Sequence, residues 1–71
     1  MSRIVLRGAS ITLARAVKVA GFVGSGGQAK YLIREGKIVV NGEVVAQPRR
    51  QLVAGDRFGL VGQLEWTICN E

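Results

Sequence analysis

Arg15 and Lys18 lie three residues apart, Lys30 and Arg34 lie four apart, and Lys37, Arg49 and Arg50 follow. On a helix, spacings of three and four put both side chains on one strip. The sequence therefore predicts two short cationic strips and a cationic loop. Seven of the ten cations fall between Arg15 and Arg50, where Glu35 and Glu43 are the only acidic residues. A surface of that kind suits a polyanion. Directly ahead of the second strip stands Ser25-Gly26-Gly27-Gln28. The first N–H groups of a helix are unpaired and carry partial positive charge. Two glycines there let an anion approach with no side chain in the way. Gly26-Gly27 also reads simply as a flexible entry to the helix. It is not a P-loop, because no Gly-Lys-Ser/Thr follows at the required spacing.

Catalytic chemistry is poorly provisioned. The chain has no His, and its five carboxylates are scattered at Glu35, Glu43, Asp56, Glu65 and Glu71. Glu35 and Glu43 are the only pair that could loosely converge. Ser25 has no base beside it and reads as a helix cap rather than a nucleophile. The single Cys69 has no cationic neighbour to activate it. No catalytic residue, metal ligand or cofactor is expected. With 71 residues, a net charge of +5 and one Cys, the chain predicts one domain over residues 1–71 that folds by packing alone. One free thiol suits a cytoplasmic setting, and no apolar run approaches the ~20 residues of a membrane span.

These side chains need elements to hold them. Ile4-Val5-Leu6 reads as a short strand. Leu13, Ala16, Val17 and Ala20 form one face of a first helix, capped by Thr12 or Ser10 and ended by Gly21. Ser25 and Gln28 have the spacing of a capping box for a second helix, with Ala29, Leu32 and Ile33 inward and Gly36 at its end. Ile38 to Val45 spells a hairpin about Asn41-Gly42, which suits the positive φ angles of a type I′ turn. Pro48 interrupts, and Arg49-Arg50 mark an exposed loop. After a turn at Ala54-Gly55-Asp56 come a strand from Phe58 to Val61, a turn at Gly62-Gln63, and a last strand in which Leu64, Trp66 and Ile68 alternate. Phe22, Phe58 and Trp66 are expected in the core. Tyr31 either covers the second helix or stacks on a flat partner. The fold class is α+β: two short helices packed on a small, mainly antiparallel sheet.

From Leu13 through Gly21, Ser25, Ala29, Leu32-Ile33 and Gly36, into Val40-Asn41-Gly42 and Gly55-Asp56, the chain resembles the S4 RNA-binding domain. It is more similar still to short, stand-alone bacterial proteins of that type, through Lys18 late in the first helix and the Gly26-to-Lys30 start of the second. The motif covers residues 12–60, about two-thirds of the chain. The resemblance implies an αL-type RNA-binding fold in which the two helices and the hairpin loop meet structured RNA, plausible classes being ribosomal and transfer RNA. Ribosome association, a monomeric state and no membrane partner are the corresponding expectations. The expected contacts are Arg15, Lys18, Ser25, Gly26, Gly27, Gln28, Lys30, Arg34, Lys37, Arg49 and Arg50. Gln28 could donate to a phosphate, a ribose hydroxyl or a base edge, and such contacts read RNA shape more than sequence. The chain departs from the common pattern at Gly26, where many relatives have Arg, and at Thr12-Leu13-Ala14 in place of Arg-Leu-Asp, and from the stand-alone proteins at Gln47-Pro48, where they often have paired Arg. The competing reading is a protein-interaction adaptor whose charge is incidental.

Overall fold

Both helices begin where the sequence offers a hydroxyl. In the computed structural model, which describes residues 2–70, Thr12 caps α1 (Leu13–Val19) by accepting from the Arg15 N–H at 3.3 Å. Ser10, the other allowed cap, instead donates its hydroxyl to Gln51 Oε1 at 2.6 Å. Ser25 caps α2 (Gly26–Arg34), accepting from the Gln28 N–H at 3.2 Å. Only half of the expected capping box forms. Gln28 Oε1 accepts from the Gly24 N–H at 2.9 Å, one residue ahead of the cap. Gly21 and Gly36 follow the helix ends at φ 82° and 75°, the left-handed geometry that satisfies last-turn carbonyls.

The strands are β1 (Arg3–Leu6), β2 (Ile11–Thr12), β3 (Ile38–Val40), β4 (Glu43–Val44), β5 (Gln51–Leu52), β6 (Arg57–Leu60) and β7 (Trp66–Asn70). Five of them form one sheet in the order β1-β7-β6-β3-β4. The β1–β7 pair is parallel and the others are antiparallel, so the mainly antiparallel expectation holds. Asn41 and Gly42, at φ 52° and 87°, make the tight turn between β3 and β4, with Val40 opposite Glu43. A second, two-stranded sheet pairs β2 with β5. Elements this short show no alternation, which is why the pairing was not legible in the sequence.

The core sits between the helices and the sheets. Leu13, Ala16 and Val17 of α1 meet Ala29 and Ile33 of α2, with Ile4, Leu6, Ile38, Val40, Leu52, Phe58 and Ile68 from the strands. Ala20 and Leu32, expected inward, are only half-buried at the margin of these stripes. Two further expectations are corrected. Leu64 is 90% exposed and lies outside β7. The β6–β7 pairing starts at Phe58 opposite Trp66, so residues 61–65 are all spent on the turn. Of the three aromatics expected in the core, Phe58 alone is fully buried, and Phe22 and Trp66 are half-buried. Phe22 packs edge-on to both, with ring centroids 6.1 Å apart in each pair. Among the described residues, no helix is long and apolar enough to cross a membrane.

Candidate functional site

The two helix starts differ in what their backbone groups meet. At α1 the chain satisfies itself. The Leu13 N–H donates to the Arg50 carbonyl at 2.8 Å and the Ala14 N–H to the Pro48 carbonyl at 3.0 Å, while Arg15 uses the Thr12 cap. The loop after the hairpin is therefore pinned across the start of α1, and a turn closed by the Arg50 N–H on the Gln47 carbonyl at 3.1 Å shapes it. Nothing comparable covers α2. Its Gly26 and Gly27 are exposed, and among the described residues their N–H groups meet no acceptor. A Cβ at Gly26 would lie in open space, and one at Gly27 would come no nearer than 4.0 Å to the Ser25 hydroxyl. Neither glycine has a positive φ. The fold thus requires glycine at neither position.

The pinned loop faces the outer strip of α2. Lys30 and Arg34 line one side of a groove of about 440 Å³, and Ala46, Gln47, Pro48 and Arg49 line the other. Three cations converge there with no carboxylate among the lining residues. Lys30 and Arg34 were paired by helical spacing alone. Arg49 is brought to them by the bonds that hold the loop on α1, and Gln47-Pro48, a departure from the common pattern, forms the groove wall. Sequence spacing carried no signal for that wall.

The remaining expected cations are distributed more widely. Arg15 lies in a separate groove with Arg7, Ser10, Thr12, Gln51 and the edge of β1. Lys18 is exposed in the last turn of α1, and Arg50 is exposed beside the carbonyl that caps that helix. Lys37 is exposed past the far end of α2, where its carbonyl accepts from the Val61 N–H at 2.9 Å. At 1.5 Å per residue, nine-residue α2 separates Lys37 from the Ser25–Gln28 start by more than ~12 Å. These positions form no single groove with Lys30 and Arg34. Ser25, Gly26, Gly27 and Gln28 stand together at the start of α2, as their adjacency requires. Among the described residues, no group of acidic, Cys or His side chains could hold a metal ion.

Next to that start is a shallow cleft of about 570 Å³ lined by Gly21, Phe22, Val23, Gly24, Gln28, Tyr31 and Leu32. Tyr31, 67% exposed, lines this cleft from the surface of α2.

A family model described as "S4 domain" matches residues 4–65. Among solved structures, the chain is similar to YbcJ from E. coli, with 28% identity over 96% of this chain and 84% of that one, at a TM-score of 0.63. The solution structure of YbcJ is described as revealing an αL motif involved in RNA-binding. No curated protein matches the sequence.

Proposed function

Because this chain belongs to the S4 domain family, we propose that it is a non-catalytic RNA-binding protein that recognises structured RNA of the ribosomal or transfer class. One observation carries the reading: Lys30, Arg34 and Arg49, from two distant parts of the chain, converge on one groove without an acidic lining residue. Three like charges are repulsive, so their convergence needs an anionic ligand or a high dielectric to offset it. The free N–H groups of Gly26 and Gly27 extend this surface at the start of α2, where helix geometry favours a phosphate. Lys18, Arg15 and Arg50 lie outside the groove and, with Lys37, would add phosphate contacts elsewhere on the exposed surface. An RNA whose backbone folds back on itself can place phosphates along both the groove and the helix start. Recognition of this kind follows backbone shape and 2′-hydroxyls. The similarity to YbcJ, itself described as carrying a motif involved in RNA-binding, supports the same reading.

The test is a fluorescence titration of labelled transfer RNA and of ribosomal RNA fragments at several salt concentrations. If about five cations meet phosphate, log K should fall against log salt with a slope near −3.5 to −4.5. Binding that ignores salt, or no binding at low salt, would sink the proposal.

A further inference from the structure

Gln28 stands at the border between the start of α2 and the shallow cleft beside it, and its side-chain amide is not free to face either way. The Gly24 N–H at 2.9 Å can be met only by the amide oxygen. Gln28 is exposed, and its NH2 end is left as a donor with no acceptor among the described residues. The same residue's backbone N–H is held by the Ser25 hydroxyl, so both ends of Gln28 are fixed before any ligand arrives.

One helical turn further along α2, Tyr31 presents an exposed ring on the same strip, three residues from Gln28. Phe22 lies in the cleft with it, immobilised by its edge-on packing against Phe58 and Trp66. Leu32 and Val23 complete an apolar surface, and the lining contains no charged side chain. A flat aromatic platform, a fixed, exposed donor and a neutral lining fit a heterocycle that carries an acceptor. They do not fit a phosphate, which the neighbouring N–H groups of Gly26 and Gly27 and the cationic groove serve better.

We propose that this cleft takes one unstacked base of the bound RNA, which lies against Tyr31 while the Gln28 amide donates to an acceptor on its edge. The proposal rests on the RNA-binding reading and deepens it. Phosphates are held by the groove and helix start, and an unpaired nucleotide is read beside them. A domain that used phosphates alone would read only the shape of the backbone and would make no contact with a base edge. This one would prefer RNA in which an unpaired nucleotide adjoins a helix.

Two labelled RNAs test it: a hairpin with an unpaired loop, and a fully paired duplex of the same stem. The wild-type chain, Tyr31→Leu and Tyr31→Phe are titrated with each at two salt concentrations. Tyr31→Leu is expected to weaken hairpin binding by roughly 5- to 150-fold, the size of losing one base–aromatic stack. Its duplex affinity and its salt slope should be those of the wild type, and Tyr31→Phe should retain hairpin affinity. Since Tyr31 is exposed, the variants should fold, which their thermal unfolding checks. Equal losses on hairpin and duplex, or no loss on either, would overturn the base site while leaving phosphate-based RNA binding intact. Failure of the wild-type chain to bind either RNA at low salt would overturn both proposals together.

Discussion

The Asn41 side chain donates to Asp56 Oδ1 at 3.1 Å, joining two turns 15 residues apart. The other end of the same amide accepts from the Arg57 N–H at 2.9 Å, and Asp56 Oδ2 accepts from the Val53 N–H at 2.9 Å. Backbone bonds from Asn41 to Arg57 and from Gly55 to Ile68, both 2.8 Å, run alongside. The hairpin tip and the turn before β6 thus behave as one unit. Asn41 also sits at φ 52°, a conformation that Asn tolerates better than most residues.

The role of Asn41 is therefore a matter of stability. Asn41→Ala should cost about 1–3 kcal/mol, from lost hydrogen bonds and left-handed backbone strain. Asn41→Gly removes the same bonds but not the tolerance of positive φ, and should cost less. Urea unfolding of the two variants measures the difference. Under conditions where both are folded, RNA affinity should match the wild type. A large loss of affinity in the folded variants would instead make Asn41 a ligand contact.

The groove predicts a graded effect of charge removal. Replacing Lys30, Arg34 and Arg49 together with Gln should flatten the salt slope by about 2–3, since each phosphate contact contributes ~0.7–0.9. Lys37→Gln, at a residue that does not line the groove, should change it by less than Arg49→Gln does. Circular dichroism should show all variants folded, because these side chains are exposed. Equal slopes for Arg49→Gln and Lys37→Gln would mean that the groove has no special part in binding.

Gly26 and Gly27 separate stability from binding. With open space at each position and no positive φ, Gly26→Ala and Gly27→Ala should each leave stability unchanged or raise it by up to about 1 kcal/mol. Both should weaken RNA binding, because a methyl group then stands where a phosphate would approach the N–H groups. Paired thermal unfolding and RNA titration would show the two effects moving in opposite directions. Wild-type affinity in both alanine variants would reduce the pair to a flexible helix entry.

Gly59 predicts the reverse pattern. It is buried in β6, and a Cβ there would come within 3.1 Å of the Leu64 carbonyl oxygen and 3.3 Å of Glu65 Cα. Both neighbours are backbone, so the turn into β7 would have to shift. Gly59→Ala should cost about 1–3 kcal/mol, as overpacking typically does. Its urea midpoint should fall, with RNA affinity retained at low denaturant. An unchanged midpoint would show that the 61–65 turn yields freely.

The sequence by itself determined the two helices, the Ser25 cap of the second, their glycine ends and the turn at Asn41-Gly42, and left the first cap to Thr12 or Ser10. Each of these depends on groups within a few residues of one another: a hydroxyl three positions before an N–H, apolar side chains at spacings of three and four, a residue pair suited to positive φ. It also determined that Lys30 and Arg34 share a strip. Tertiary structure decided the rest. The pairing of β2 with β5, the parallel run of β1 on β7 and the docking of Pro48 and Arg50 on the start of α1 are made by backbone N–H and carbonyl groups. Every residue other than proline carries the same pair of them, so no residue type announces the partner. Those anonymous bonds bring Arg49 to Lys30 and Arg34, leave Lys37 apart, occupy one helix start and leave the other open. The side chains that could bind were visible in the order of residues; which of them stand together was decided by bonds between distant stretches of backbone.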